Sequence, residues 1–283
     1  MTQPYLPIGV FDSGIGGLSI LDALLQALPH EHFVYFSDAG HAPYGERNDA
    51  FVQLRCQQIV QQLLTEHAIK ALVVACNTAT TVAIEALRED FPVLPIIGVE
   101  PAIKPAVRIT QTGHIAVLAT ERTLQSGKYQ RLRQSLSTSV RVDDIPCPGL
   151  ASAIEANDTA AIERLCRHFL VQALRPSAAP VDTVVLGCTH YPLVLPALQR
   201  LAPPQLRFVD SAAAVARHTA LRLQAQRLLR PPAAGNAQAR LPLTLRTSGS
   251  LPCLQAAAQR HLHAGAALHG DEPDALPAHP ANA

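Results

Sequence analysis

The fold follows from the stretch VVLGCTHY, residues 184–191, and from its near-copy LVVACNT, residues 72–78. Each reads as an apolar β-strand, a small residue, a cysteine and two polar residues before a helical pattern. The carboxyl ends of parallel strands meet at one edge of a sheet, and ligands bind at that edge. Because the two halves of the chain deliver a cysteine in the same way, we predict a site at which the sulfur atoms of Cys76 and Cys188 face each other.

Strand and helix patterns alternate along the rest of the chain, which predicts an α/β protein with mainly parallel sheets flanked by helices. Residues 8–12 and 115–119 overlay as equivalent strands, and so do the strands that precede the two cysteines. We therefore expect two similar domains with the active site in the cleft between them. The first domain comprises residues 1–98 plus about 211–264, and the second comprises residues 99–210. Residues 265–283 lack any period and are expected to form a disordered tail.

A glycine-rich turn, DSGIGG at residues 12–17, follows the first strand. Its glycines are not spaced as G-x-G-x-x-G, which disfavours a dinucleotide-binding fingerprint. We expect these glycines to let the backbone approach a small ligand closely, with a tight turn that binds nothing as the alternative. Asp12, at the end of the strand, could bind a substrate ammonium, orient a cysteine or cap the following helix.

Composition excludes several classes of partner. The chain has 283 residues and a net charge of +1, so there is no electrostatic case for nucleic acid or an anionic membrane. Its apolar runs are too short for a membrane span, and we expect no secretion signal at the N-terminus. Six cysteines without such a signal predict reduced thiols in a cytoplasmic protein. No cysteine pair has C-x-x-C spacing and no histidines cluster, so we expect no metal site.

The two cysteines suggest acid–base chemistry. A cysteine at the start of a helix lies near the positive end of the helix dipole, which favours its thiolate. The free N–H groups of the same turn can hold a carboxylate. A thiolate on one face and a thiol on the other can remove and return a proton at a single carbon, which is two-base racemisation. The alternative is that Cys76 and Cys188 are packed and inert, and that His190 only caps its helix.

Four motifs, in this order, resemble those of the glutamate racemase family: FDSGIGGL at residues 11–18, PYG at 43–45, ACNTA at 75–79 and LGCTHYP at 186–192. The segments GVEP at residues 98–101 and TSG at 247–249 are also similar to that family. The resemblance implies an isomerase that interconverts L- and D-glutamate without a cofactor and supplies D-glutamate for peptidoglycan. It also implies a small-molecule substrate and a possible homodimer.

The same resemblance implies roles for individual residues. Cys76 and Cys188 would be the two proton donors and acceptors. Asp12 would lie beside the first cysteine, and His190 with Glu155 beside the second, although Glu155 matches by position more than by identity. The substrate-binding residues would be Asp12, Ser13, Tyr44, Gly45, Asn77, Thr78, Thr189 and His190.

Three other functions stay open from the sequence. A racemase of the same superfamily acting on aspartate would carry the same cysteines, because the sequence does not give the size of the pocket. A module that binds an amino acid without turning it over would leave the cysteine pair unexplained. A thiol hydrolase using one cysteine and His190 would leave the second cysteine unexplained.

Overall fold

The computed structural model describes residues 3–136, 140–232 and 243–263, together with the backbone of residues 268–270. Strands and helices alternate within them, as the sequence predicts. The strands are β1 (Ile8–Asp12), β2 (Phe33–Ser37), β3 (Ala71–Val74), β4 (Ile96–Gly98), β5 (His114–Ala119), β6 (Arg141–Pro146), β7 (Thr183–Leu186), β8 (Arg207–Val209), β9 (Leu243–Thr247) and β10 (Leu268–Gly270).

The helices include no segment, among the described residues, that is long and apolar enough to cross a membrane. They are α1 (Leu18–Ala27), α2 (Asp49–His67), α3 (Asn77–Asp90), α4 (Ile103–Ile109), α5 (Glu121–Gln125), α6 (Gly127–Gln134), α7 (Leu150–Glu155), α8 (Thr159–Ala173), α9 (Leu195–Leu201), α10 (Ala212–Ala225) and α11 (Leu251–His261).

Two parallel sheets organise these elements. The first has the strand order β10-β9-β2-β1-β3-β4, and with α1, α2, α3, α10 and α11 it forms what we call the first lobe. The second has the order β6-β5-β7-β8 and forms the second lobe with α4 to α9. All pairings in both sheets are parallel. The prediction of an α/β fold with two similar halves is therefore confirmed.

The two lobes repeat one strand order, β2-β1-β3-β4 in the first and β6-β5-β7-β8 in the second. Phe11 pairs with Val74 in the first sheet, and Leu118 pairs with Leu186 in the second. Each cysteine lies two residues beyond the second member of its pair. Cys76 and Cys188 therefore occupy equivalent positions at the carboxyl ends of equivalent strands.

Burial explains why the strand sequences are apolar without alternation. Every residue of β1, β2, β3, β5 and β7 is buried, as expected for parallel strands covered on both faces. One apolar core continues from the first lobe into the second and includes Leu21, Tyr35, Leu118 and Leu186. This shared core holds the lobes together below the cleft.

The domain boundaries stay a proposal. Strands up to Gly98 and the strand that begins at Leu243 belong to the first sheet, and strands between His114 and Val209 belong to the second. We propose boundaries near Gly98 and Ser211 on this basis. The tail expected at residues 265–283 lies outside the described residues except for Leu268–Gly270. The backbone of those three residues pairs with β9, so the expectation of disorder was wrong for them.

Candidate active site

A cavity of about 110 Å³ lies between the lobes at the carboxyl ends of their strands. The first lobe contributes Ser13, the segment 43–46 and Cys76 with the two residues after it, and the second lobe contributes Cys188 with the two residues after it. Both cysteines are thus walls of one cavity. The remaining lining residues are Thr120, Glu121, Cys147, Pro148, Gly149, Ala151 and Ser152.

Cys76 is the N-terminal cap of α3. Its sulfur accepts a hydrogen bond from the backbone N–H of Ala79 at 3.4 Å, and its thiol donates to Ser13 Oγ at 3.6 Å. Burial and the nearby Asp12 carboxylate raise the pKa of the Cys76 thiol to about 12, although its hydrogen bonds with Ala79 and Ser13 oppose this rise. Cys76 is therefore a protonated thiol in the unliganded protein at neutral pH.

Cys188 has a cationic environment instead. Its sulfur lies 3.7 Å from His190 Nδ1, and His190 Nε2 lies 2.5 Å from Glu155 Oε1. Burial opposes a charge on His190, but the hydrogen bonds with Cys188 and Glu155 raise its pKa well above the usual value. Burial likewise opposes the charge on Glu155, yet His190 and the N–H of Ile15 hold the Glu155 pKa below its usual value. The imidazole is consequently an imidazolium next to the sulfur.

Asp12 lies behind the cavity wall and does not line it. One of its oxygens accepts from the N–H of Gly14 at 2.9 Å, and the other accepts from the Thr189 hydroxyl at 3.0 Å. The second bond joins the lobes directly. Burial raises the pKa of Asp12, while the neighbouring His190 charge and these hydrogen bonds lower it.

The glycine turn after β1 accommodates side chains of the second lobe. A Cβ on Gly14 would lie 1.7 Å from Glu155 Oε1, and a Cβ on Gly16 would lie 2.4 Å from His190 Nδ1. The N–H of Ile15 donates to Glu155 Oε1 at 2.6 Å. These glycines were expected to admit a ligand; the structure shows that they admit the His190–Glu155 pair that faces Cys188.

Asn77 carries an unused acceptor. Its side chain is buried at the cavity wall, and Oδ1 has no hydrogen-bond partner among the described residues. A buried polar atom without a partner is costly, so this oxygen is suited to a ligand donor such as an ammonium group. Thr78 Oγ1 lies 3.3 Å from Thr120 Oγ1, so these hydroxyls connect the two lobes at the cavity.

Tyr44 and Gly45, for which the resemblance implies substrate binding, both line the cavity, but the Tyr44 hydroxyl has another partner. It donates to Asp38 Oδ2 at 2.5 Å, inside the first lobe. The Tyr44 side chain is buried, and its pKa is raised well above the usual value by burial and by the Asp38 charge. Tyr44 therefore lines the cavity with atoms other than its hydroxyl oxygen.

Nine of the eleven residues that the sequence suggested line the cavity, and the other two, Asp12 and Glu155, contact its lining residues. Sequence reasoning missed the other nine lining residues, which are Pro43, Glu46, Thr120, Glu121, Cys147, Pro148, Gly149, Ala151 and Ser152. Thr120 could have been found, because the overlay of residues 8–12 on 115–119 makes it the equivalent of Ser13. Among the described residues, no group of three or more His, Cys, Asp or Glu side chains could hold a metal ion.

Comparison with protein families and curated proteins gives one consistent result. The family described as Asp/Glu/Hydantoin racemase matches residues 8–219. The glutamate racemase of Stutzerimonas stutzeri is 46% identical over 224 residues, which are 79% of this chain and 84% of that protein. The glutamate racemase of Pseudomonas putida strain W619 is 41% identical over 267 residues, which are 90% of this chain and 100% of that protein.

Solved structures with the same fold include two glutamate racemases. The isoform RacE1 of Bacillus anthracis superposes with a TM-score of 0.81 at 32% identity, over 95% of this chain and 98% of that chain. The Escherichia coli enzyme, in complex with L-glutamate and the activator UDP-MurNAc-ala, superposes with a TM-score of 0.80 at 34% identity. That superposition covers 96% of this chain and 100% of the Escherichia coli chain.

Proposed function

The chain belongs to the Asp/Glu/hydantoin racemase family as an isomerase of the glutamate racemase type, and we propose that it interconverts L- and D-glutamate by proton transfer at two cysteines. The observation that carries this proposal is the cavity lined by Cys76 from one lobe and Cys188 from the other. The relatives named above are glutamate racemases, which does not favour aspartate as the substrate.

Substrate binding uses polar groups from both lobes. The Escherichia coli relative binds L-glutamate, and we propose the same ligand for this cavity. Asn77 Oδ1 accepts a hydrogen bond from the α-ammonium, which gives this buried oxygen a partner. The N–H groups in the first turn of α3 face a carboxylate, as helix N-termini do. Hydroxyls of Ser13, Thr78 and Thr189 complete the set that the resemblance implies.

The two sulfur atoms have different surroundings, and we assign them different roles in the first proton transfer. Cys76 lies beside Asp12 and keeps its proton, because burial and that carboxylate raise its pKa to about 12. Cys188 Sγ lies 3.7 Å from His190 Nδ1, and we assign the role of first proton acceptor to this sulfur. One thiolate and one thiol on opposite sides of the cavity are the pair that racemisation needs.

The reaction moves one proton at each sulfur. The Cys188 thiolate takes the α-hydrogen as a proton from one enantiomer, and the electron pair stays on the α-carbon beside the carboxylate. The Cys76 thiol then gives its proton to the opposite face, which yields the other enantiomer and leaves Cys76 as the thiolate. The reverse reaction restores the first state. Asp12 helps to raise the pKa of Cys76, and His190 Nδ1 contacts the sulfur of Cys188.

Stabilising the carbanion is the main energetic difficulty, because an α-hydrogen next to a carboxylate is very weakly acidic. Preorganised donors around that carboxylate and the exclusion of water lower the barrier. The resemblance implies that no cofactor is needed, and we propose that these donors suffice. Closure of the lobes on the substrate completes the site.

We further propose that the product serves peptidoglycan synthesis in the cytoplasm, as the resemblance implies, and that the chain forms homodimers. The activator in the Escherichia coli complex, UDP-MurNAc-ala, supports the link with cell-wall precursors for that relative.

Circular dichroism of L- and D-glutamate tests the proposal with no cofactor added, and α-deuterium incorporation in D₂O reports each proton transfer. Replacing Cys76 or Cys188 by Ala removes a proton donor and should lower racemisation in both directions by at least about a thousandfold. Cys166→Ala, in the buried core of α8, is the matched control and should keep its activity. Ready racemisation by either active-site variant would remove the two-cysteine mechanism.

A further inference from the structure

We propose that Asp38 and Arg55 are positioning residues for the reaction, because they hold the part of the cavity wall formed by residues 43–46. We call this segment the wall. The inference rests on the proposed function, since its effect is observed through glutamate turnover. Neither residue lines the cavity itself.

Asp38 is the centre of a buried network directly after β2. Its side chain is fully buried, and Oδ2 accepts from the Tyr44 hydroxyl at 2.5 Å and from Arg55 Nε at 3.1 Å. Oδ1 accepts from Arg55 Nη2 at 2.7 Å and lies 3.0 Å from His41 Nδ1. A bidentate pair between Arg55 and Asp38 fixes the carboxylate in one orientation, and that carboxylate in turn fixes Tyr44.

Charge makes this network rigid. Burial raises the pKa of Asp38, but the hydrogen bonds and charge of Arg55 more than offset this and hold the pKa below its usual value. The carboxylate is therefore ionised, and a buried charge that loses its partner is strongly unfavourable. The Tyr44 hydroxyl stays neutral and donates, because burial and Asp38 raise its pKa.

The wall depends on this tether. Pro43, Tyr44, Gly45 and Glu46 all line the cavity, while the Tyr44 hydroxyl points into the network behind them. A Cβ on Gly45 would lie 3.4 Å from Thr120 Cβ, so the wall contacts the second lobe across the cleft. A shift of Tyr44 therefore changes both the size of the cavity and the contact between the lobes.

The TSG segment at residues 247–249 supports the same turn. The N–H of Ser248 donates to Ser37 O at 3.1 Å, and the N–H of Gly40 donates to Ser248 Oγ at 3.1 Å. Ser248 also hydrogen-bonds Asp38. A Cβ on Gly40 would lie 2.6 Å from Ser248 O, which leaves no room for a side chain there. The segment after β9 thus supports Asp38 in addition to Arg55, which gives this motif a structural role.

Loss of the Asp38–Arg55 support should affect the size of the substrate that fits more than the rate of proton transfer. The wall bounds the cavity on the side of the first lobe, so its position sets the length of dicarboxylate that fits. Loosening the wall should raise the KM for glutamate and reduce the preference for glutamate over aspartate. A loss of global stability alone would change neither quantity in the folded fraction.

Two substitutions loosen the wall without leaving a charge unpaired. Arg55→Lys keeps the charge but loses the fork that binds both oxygens of Asp38. Tyr44→Phe removes the hydroxyl and leaves the Arg55–Asp38 pair intact. Each should raise the KM for L-glutamate by about ten- to a hundredfold, as small misplacements in an active site do. Both should lower kcat by less, and both should narrow the ratio of kcat/KM for glutamate to that for aspartate.

The matched control breaks another buried ion pair in the same lobe. Lys70 Nζ lies 2.5 Å from Glu31 Oε2, and both side chains are buried at the amino end of β3, away from the cavity. Lys70→Met should lower the melting temperature and leave the KM and the substrate ratio unchanged in the folded protein.

The outcomes separate the positioning role from the function. Suppose that the wild type is active and that the folded Arg55→Lys and Tyr44→Phe variants keep its KM and its ratio of kcat/KM for glutamate to that for aspartate. This result would overturn the positioning role and leave the proposed function intact. The same holds if Lys70→Met changes KM as much as they do. A wild type that does not racemise glutamate would instead overturn the proposed function.

Discussion

Glu155→Gln is the substitution that best tests the proposed role of Cys188 as a proton acceptor. Glu155 does not line the cavity, but its Oε1 lies 2.5 Å from His190 Nε2 and accepts from the N–H of Ile15 at 2.6 Å. Glutamine keeps the size of the side chain and removes its charge. The substitution therefore leaves the cavity wall in place and withdraws the anion that stabilises the His190 imidazolium.

The magnitude follows from the hydrogen bonds that change. A hydrogen bond to a charged group contributes about 1.5–3 kcal/mol, which corresponds to a fall in kcat/KM of about 10- to 150-fold if His190 supports the transition state. Glutamine can still accept from the N–H of Ile15, so the contact between the glycine turn and α7 persists. The expected loss is thus smaller than that for removing either cysteine.

The two directions of the reaction are constrained by equilibrium. L- and D-glutamate have equal free energies in water, so kcat/KM must fall by the same factor for both enantiomers. The asymmetry of the site should emerge in the primary isotope effects with α-deuterated substrates. We expect the isotope effect to increase in the direction in which Cys188 removes the α-hydrogen, because that transfer becomes slower.

The dependence of kcat/KM on pH gives an independent test of the role of His190. In the wild type, burial opposes the His190 charge, but Cys188 and Glu155 raise its pKa well above the usual value. Activity that needs the imidazolium is present below that pKa and is lost as the pH rises through it. Without the Glu155 charge, burial lowers the pKa of His190, so the alkaline limb of kcat/KM should move to lower pH.

Glu163→Gln is the matched control, because Glu163 lies on α8 and pairs with Arg167 and Arg200 at the surface. It should leave the rate and the pH profile unchanged. If Glu155→Gln also kept the wild-type kcat/KM and the same alkaline limb, the His190 cation would not support Cys188, and the asymmetric assignment of the two sulfurs would fail.

Two further substitutions test packing and surface charge. Gly14→Ala places a Cβ 1.7 Å from Glu155 Oε1, and it should lower the free energy of unfolding by about 1–3 kcal/mol and remove most of the activity. In the control Gly127→Ala, the nearest neighbour of the new Cβ would be 3.5 Å away, so this variant should keep its stability and activity. Urea unfolding and the racemisation assay measure both variants. Asp182 accepts from Thr110 Oγ1 and from two backbone N–H groups, which overcome burial and lower its pKa to about 2. Asp182→Asn should therefore lower the free energy of unfolding by about 1 kcal/mol at neutral pH, after allowance for solvent screening. Because the pKa is depressed from 3.8, this contribution is present above pH 3.8 and is lost as the pH falls through about 2, which urea unfolding against pH will check.

Local patterns predicted what depends on local sequence. The two apolar strands that end at Cys76 and Cys188 were recognisable because a buried parallel strand needs continuous apolar residues, and the same pattern occurs twice. From the repeat alone, the equivalence of β1 with β5 and of β3 with β7 followed. The location of the cavity follows from that repeat, because each half places one cysteine at the carboxyl end of an equivalent strand.

Contacts between residues that are far apart in the sequence could not be predicted from the sequence pattern. Nothing in the spacing of Gly14 and Gly16 shows that they must clear Glu155 and His190, which are far away in the chain and belong to the other lobe. The Asp38–Arg55 pair was hidden for the same reason, since Arg55 reads as an ordinary helical residue of α2. Tyr44 was assigned to the site by its motif, and only the hydrogen bond to Asp38 shows that its hydroxyl points elsewhere.

The repeat also explains how a nearly symmetric scaffold supports an asymmetric reaction. The strand register makes Cys76 equivalent to Cys188, so Thr78 is the equivalent of His190 and Asp12 is the equivalent of Ala119. The first lobe thus has a carboxylate near its sulfur and no imidazole, while the second lobe has an imidazole and no carboxylate at the strand end. In the proposed mechanism, the backbone symmetry presents the two sulfurs to opposite faces of one carbon, and these two exchanges of side chain give the sulfurs different surroundings. Identical surroundings would leave neither sulfur preferred as the first proton donor, whereas here the Asp12 carboxylate favours the protonated form of Cys76.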